Sequence, residues 1–409
     1  MKESTRVLVS LGAAIALGLA VGASGDVSFL RAADFLVPIG ALWVSAIRMT
    51  VIPLVASLII TSIASAAGVT SVSKLGGRTL IIFLVMLAGA AAIAVPLASA
   101  VFALLPPVAT RPPLPPGAAE AAAALAADQP QTLAAWIGSL LPSNPVAAAA
   151  NGAMMQLVLF VLLLALAIAS SGATTRATLV GFFQALGEAM MTLVRWVILA
   201  APVGVFALIL PLAARSGATI VGGIGFYIVA YSALSITMSL LLYPVVTLVT
   251  GIPLARFARA ALPSQLIALS TSSSIASLPA LVESAEGGLG LRPDVPRFVL
   301  PIAVSTFKFA SPVSWSVGTL FVAWFYGLPI GAASLAIVAF AAVFLAFAAP
   351  GVPRGAFIML APLFIAIGLP VEGIGILIAV DALPDVFATT LNVTGNLAAT
   401  ALVAGRARA

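Results

Sequence analysis

The chain has no cysteine and no histidine in its 409 residues, and only 7% of them are charged. Without cysteine there are no disulfides and no thiol chemistry. Without histidine there is no imidazole base, and zinc sites of the usual kind are excluded. Charge is the more telling shortage: soluble domains carry about a quarter charged residues, so composition alone excludes a water-soluble fold. What is abundant is apolar. Hydrophobic residues make up 62% of the chain, and the mean hydropathy is +1.24. Apolar runs at 7–23, 80–105, 155–170 and 333–349 approach the length that spans a bilayer. The chain reads as an all-α polytopic membrane protein, rich in the Ala and Gly that let helices approach closely in lipid.

The net charge of +6 does not point to nucleic acid, because the basic residues are dispersed singly. They serve better as topology markers. Lys2, Arg6, Lys74, Arg78, Arg176, Arg256, Arg259, Arg292, Arg297, Arg406 and Arg408 fall on one side of the alternating apolar runs. Arg31, Arg111 and Arg215 fall on the other, while Arg48, Arg195, Lys308 and Arg354 lie within or beside apolar segments. Both termini are therefore expected to be cytoplasmic, in a multi-pass protein of the cell (inner) membrane. The opening stretch MKESTRVLVSLGAAIALGLAVGA is expected to be an uncleaved first span rather than a signal peptide, given Glu3 and the return of apolar sequence near Phe35. The Pro- and Ala-rich stretch 106–130 reads as part of a flexible extracellular loop over 106–144.

Residues 251–290 are too interrupted for one span, breaking at a serine-rich core, and 349–370 break at Gly351-Val352-Pro353. Two interrupted apolar segments point to discontinuous helices, whose free backbone groups bind substrates in membrane transporters. Each is followed by a long apolar segment carrying polar residues, at 298–326 and 371–403. The order hairpin, helix, hairpin, helix has the look of an internal repeat. The last of these segments contains DALPDVFATTLNVTGN, whose Asp381 and Asp385 would share one face of a helix.

Several stretches together resemble the dicarboxylate/amino acid:cation symporters, the glutamate transporter homologues. ALPSQLIALSTSSSIASLP (261–279) is similar to that family's serine-rich first hairpin, and GVPRGAFIMLAPLFIAIGLPVEG (351–373) to its second. DALPDVFATTLNVTGN is similar to its substrate-binding last helix. Residues 140–160 and 47–65 resemble its fourth and second spans. The resemblance implies eight transmembrane helices, two re-entrant helical hairpins and a homotrimer. Residues 1–70 and 145–215 would hold helices 1, 2, 4 and 5, a static scaffold. Residues 71–105 and 216–405 would form a transport domain that moves in an elevator-like step. That domain would comprise helices 3 and 6, a first hairpin about 256–288, helix 7 about 296–326, a second hairpin about 332–369 and helix 8 about 371–404.

The resemblance also assigns residues. Asp385 takes the position whose carboxylate pairs with a substrate amine, and a charge within a span is costly enough to be kept for a task. Asn392 takes the position that binds the substrate α-carboxylate, with Thr389 beside the substrate. Ser272, Ser273 and Ser274 match the first hairpin's carboxylate-binding serines. Ser311, Val352 and Pro353 complete the pocket positions. Acidic-substrate members carry an arginine where this chain has Ala388, so no guanidinium fork fixes a second carboxylate there. A small neutral amino acid is the expected substrate. Arg354, where glycine is usual, keeps open a dicarboxylate or acidic amino acid transporter, with coupling to protons.

The cation side departs from the family. An Asn-Met-Asp-Gly-Thr motif that holds sodium is replaced here by Phe307, Lys308, Phe309, Ala310 and Ser311, and a second sodium-site aspartate by Asn396. The third span, TLIIFLVMLAGAAA, lacks the expected hydroxyls. Phenyl rings offer a hard cation no ligand. Lys308 would stand in for the bound cation, partnered by Asp381 or by half-helix carbonyls. Sodium coupling is thus expected to be lost or altered, with proton coupling through Asp381 or Asp385, or exchange, in its place. A channel for anions or a transport-dead sensor on the same fold is the reading from another class. An enzyme is not expected, nor any cofactor, bound metal or nucleic acid.

Overall fold

Inside a bilayer the backbone has no water to bond, so a chain this apolar must satisfy its polar groups within its own helices. The computed structural model describes residues 3–66, 73–106, 141–150, 154–216, 218–348, 357 and 360–405, and the regular elements among them are all helical. Six apolar helical stretches among the described residues are long enough to cross a membrane, by length and composition. In chain order the helices begin with α1 (Glu3–Ser24), α2 (Val27–Asp34), α3 (Val37–Ala66), α4 (Ser73–Phe102), α5 (Pro145–Ala150) and α6 (Met154–Ser170). Next come α7 (Ala173–Leu199), α8 (Ala201–Ser216), α9 (Ala218–Thr250), α10 (Leu254–Thr271) and α11 (Leu278–Glu283). The last are α12 (Asp294–Thr306), α13 (Ser311–Tyr326), α14 (Ala332–Phe344), α15 (Leu360–Ala366), α16 (Glu372–Val380) and α17 (Pro384–Ala404).

The helices pack in two groups. In the first, α1 lies along α8, and α3 lies against α6, α7 and α8. Small residues set the spacing. A Cβ on Gly204 of α8 would fall 2.1 Å from the Trp43 ring of α3, whose indole N–H is fixed on Val197 O at 2.9 Å. In the second group, α17 packs on α9, α10, α12 and α4, while α13 packs on α4, α9 and α14. Both α13 and α17 are buried nearly all round, which marks the centre of a helical body. The short helix α16 touches α1, α3 and α8 and so lies where the groups meet. Leucines, valines and isoleucines are exposed along α4 and α9, a surface suited to lipid rather than water.

The first hairpin runs down α10, turns, and returns through α11 and a π-helical turn, Ser284–Gly288. Its sharp reversal comes from Ser272, in the left-handed region at φ 50°. The segments expected as helices 7 and 8 are each divided in two. The first is split into α12 and α13 at 307–310, the second into α16 and α17 at 381–383. Proline explains where each second half begins: Pro312 and Pro384 lie in the first turn, where a missing N–H costs nothing. The turn at 381–383 still carries a bond from Asp385 N to Asp381 O of 2.8 Å. The two carboxylates therefore remain one turn apart, although they are not on one unbroken helix.

Candidate functional site

The two helix breaks meet. Asn392 lies two turns into α17, and its Oδ1 accepts the N–H of Ala310, in the break between α12 and α13, at 2.8 Å. That N–H is freed because helix α12 has already ended; Phe307, its C-cap, is extended at φ −99° and ψ 93°. With the oxygen engaged, the amide nitrogen of Asn392 remains as a donor for an anionic group. One turn further, Gly395 receives Phe309: a Cβ at 395 would lie 2.7 Å from Cβ of Phe309. Glycine at 395 and phenylalanine at 309 therefore fit as a pair.

Asp385 occupies the first turn of α17, where the helix N-terminus favours a carboxylate. Asp381, at the C-cap of α16, is buried. Tyr227 and Tyr231 are buried on α9, which packs on α13 and α17. Ala388 and Thr389 are buried on the same helix. Ser311 is buried as well, and its hydroxyl has no hydrogen-bond partner among the described residues. The tyrosines were not among the residues expected from sequence, because aromatic residues in a span read equally well as packing.

At the positions where the resemblance led one to expect oxygen ligands, this chain has rings. Phe307 stacks on Phe83 of α4 with centroids 4.2 Å apart, and Phe309 lies 5.8 Å from Phe307. All three are buried. Asn396 is fully buried, with neither amide atom hydrogen-bonded among the described residues. Lys308 is partly buried and points back along α12, donating from Nζ to Val304 O at 2.8 Å. Of the two kinds of partner expected for it, a half-helix carbonyl is one that it contacts.

At the hairpin tip, Ser272 caps α10 through a 2.8 Å bond from its N–H to Ala268 O. Ser273 is then enclosed by local bonds: its N–H goes to Thr271 Oγ1 at 3.3 Å and its Oγ accepts Ala276 N at 3.2 Å. Ser274 is buried in the turn that follows. The arm of the hairpin is tied to α17 by Gln265, whose Nε2 donates to Thr394 Oγ1 at 2.8 Å and to Tyr243 OH at 2.9 Å. Val352, Pro353 and Arg354 lie outside the described residues.

Residues 5–406 match the sodium:dicarboxylate symporter family. Among similar proteins, the proton/glutamate-aspartate symporter of Escherichia coli (strain K12) is 27% identical, covering 98% of this chain and 91% of its own. The human neutral amino acid transporter B(0) is 28% identical, covering 95% of this chain and 77% of its own. The C4-dicarboxylate transport protein 2 of Ralstonia nicotianae (strain ATCC BAA-1114 / GMI1000) is 27% identical, covering 96% and 87%. An all-helical chain with paired helix breaks, matched to one family of carriers over nearly its whole length, is a membrane transporter and not an enzyme: it belongs to the sodium:dicarboxylate symporter family.

Proposed function

We propose that the protein is a secondary transporter for a small neutral amino acid, and that it works without the sodium sites of its family. The observation that carries this reading is the contrast across one helix break. On the substrate side Asp385, in the first turn of α17, and the Asn392 amide nitrogen would receive an ammonium and a carboxylate. On the cation side the Phe83–Phe307–Phe309 cluster and the Lys308 ammonium occupy the ground where oxygen ligands would be needed. Ala388 offers no fork for a second carboxylate, which favours a neutral side chain. Among the relatives, one is named a neutral amino acid transporter.

The two packing groups support a division of labour. The α1, α3, α6, α7 and α8 group would be the scaffold of a homotrimer, and the group centred on α13 and α17 the moving transport domain. The second hairpin would gate the outer side. The protein would reside in the inner membrane with both termini in the cytoplasm. A dicarboxylate substrate held by Arg354 is the second reading, favoured by the C4-dicarboxylate relative.

Thermal unfolding of purified protein with candidate ligands tests the proposal. Alanine, serine or threonine should raise the Tm equally in sodium and in choline buffer, and Asp385→Ala should abolish the effect. Stabilisation by succinate alone, lost in Arg354→Ala, would establish the second reading instead.

A further inference from the structure

The far end of the first hairpin carries basic residues that the substrate reading does not use. An open cavity of about 450 Å³ lies there between α10 and the π-helical turn, lined by Pro253, Ala255, Arg256, Arg259, Ala260 and Gly288. Arg256 is about 24 Å along α10 from Ser272 at the tip, so the cavity is separate from the residues expected to hold substrate. Both guanidinium groups are held from one side by backbone carbonyls. Arg256 Nε donates to Gly288 O at 3.0 Å, and Arg259 Nε to Ala255 O at 3.2 Å. Glycine at 290 leaves room for the first of them: a Cβ there would fall 2.9 Å from Arg256 Nη2. Among the described residues neither arginine has a carboxylate partner, whereas the neighbouring Arg292 and Arg297 pair with Asp294 and Glu286. No acidic side chain lines the cavity. Two anchored guanidinium groups with open Nη donors and no counter-charge suit a phosphate, whose oxygens match the guanidinium fork.

The position of the cavity indicates what would carry that phosphate. The apolar stretch Gly222–Thr250 of α9 is long enough to cross a membrane, and the cavity begins just beyond its end. That is the level at which lipid headgroups surround a span, and basic pockets at such a level take anionic headgroups. Further along α10, Leu262 and Leu266 share a face with Arg259 and are exposed, as is Leu248 at the end of α9. A cation beside an exposed apolar face fits a lipid, whose headgroup and acyl chains need both. We propose that this cavity binds the phosphate headgroup of an anionic phospholipid, with the acyl chains lying along Leu262 and Leu266. The site is independent of which substrate the protein carries.

Purified protein in detergent, titrated with phosphatidylglycerol and followed by thermal unfolding, tests this. Phosphatidylglycerol should raise the Tm of the unaltered protein. The lipid concentration that gives half of the rise should increase at least about tenfold in Arg259→Gln and in the double variant Arg256→Gln/Arg259→Gln. Arg259→Gln leaves Arg256 on Gly288 O, and its Tm without lipid reports that it folds. Arg292→Gln, which lies outside the cavity, should respond as the unaltered protein does. No rise in the unaltered protein overturns the proposal. So does a rise that Arg259→Gln keeps in full, or one that Arg292→Gln weakens equally, because general surface charge then accounts for it. Inorganic phosphate in place of lipid separates the two sources of the group. Protection by phosphate alone, equal to that by lipid and lost in Arg259→Gln, assigns the cavity to free phosphate and overturns the lipid assignment.

Discussion

The side-chain oxygen of Asn392 accepts the backbone N–H of Ala310 at 2.8 Å, joining the last span to the break in the span before it. This single bond does two things. It satisfies an amide that the end of α12 leaves free, and it turns the Asn392 nitrogen into a fixed donor.

Replacing that nitrogen should be worse than its size implies. Asn392→Asp keeps an oxygen for Ala310 N–H but puts a negative charge where, on the proposed function, a substrate carboxylate would be received. A hydrogen bond to a charged group contributes about 1.5–3 kcal/mol, so amino acid affinity should fall at least about tenfold, with the Tm of the ligand-free protein changed less than in Asn392→Ala. Calorimetric titration and thermal unfolding check the two parts separately.

Adding a guanidinium at position 388 should change which substrate is accepted. Ala388 is buried on α17, on the helix that carries Asp385 and Asn392. In Ala388→Arg a charge-assisted pair worth about 1.5–3 kcal/mol becomes available to a second carboxylate. Competition binding should shift from neutral toward acidic amino acids by about tenfold or more, in line with that energy.

Gly204 and Gly395 face partners that cannot easily yield. A methyl on Gly204 would fall 2.1 Å from the ring of Trp43, and a methyl on Gly395 2.7 Å from Cβ of Phe309. Overpacking of this kind costs about 1–3 kcal/mol. Gly204→Ala should lower the Tm without altering selectivity, since it lies in the other packing group. Gly395→Ala should lower both Tm and ligand affinity, because it pushes on the segment that carries Ala310.

One pH effect follows from the far end of the first hairpin. Glu286 accepts Nε and Nη2 of Arg297 at 2.9 and 3.1 Å. That hydrogen bond, with the guanidinium charge, holds its carboxyl below the usual 4.5. A depressed value in the folded state means the pair stabilises above the unfolded value, and that the gain disappears as pH falls through the folded value. The pair is exposed, so the effect is small. The Tm difference between the unaltered protein and Glu286→Gln should be constant near neutrality and shrink as the pH is lowered below 4.5.

The membrane class and the helical fold were legible because hydropathy acts over whole segments and tolerates any local detail. The first hairpin was legible because its serine-rich break interrupts an apolar run in plain view. The breaks inside helices 7 and 8 were harder. Pro312 and Pro384 mark where each second half begins, but the place that Phe83 and Gly395 give to the Phe307 and Phe309 rings is set by packing. Such an arrangement is tertiary and leaves no period in the sequence. The absence of carboxylate and amide side chains at 307–311 is plain in the sequence, whereas the use of Val304 O by Lys308 depends on which way a flexible stem points.

The central claim is transport of a neutral amino acid without sodium coupling, and initial uptake of labelled alanine into proteoliposomes tests it most directly. With external sodium replaced by choline at constant ionic strength, the account predicts an unchanged rate. A rate that rises steeply with external sodium would contradict it.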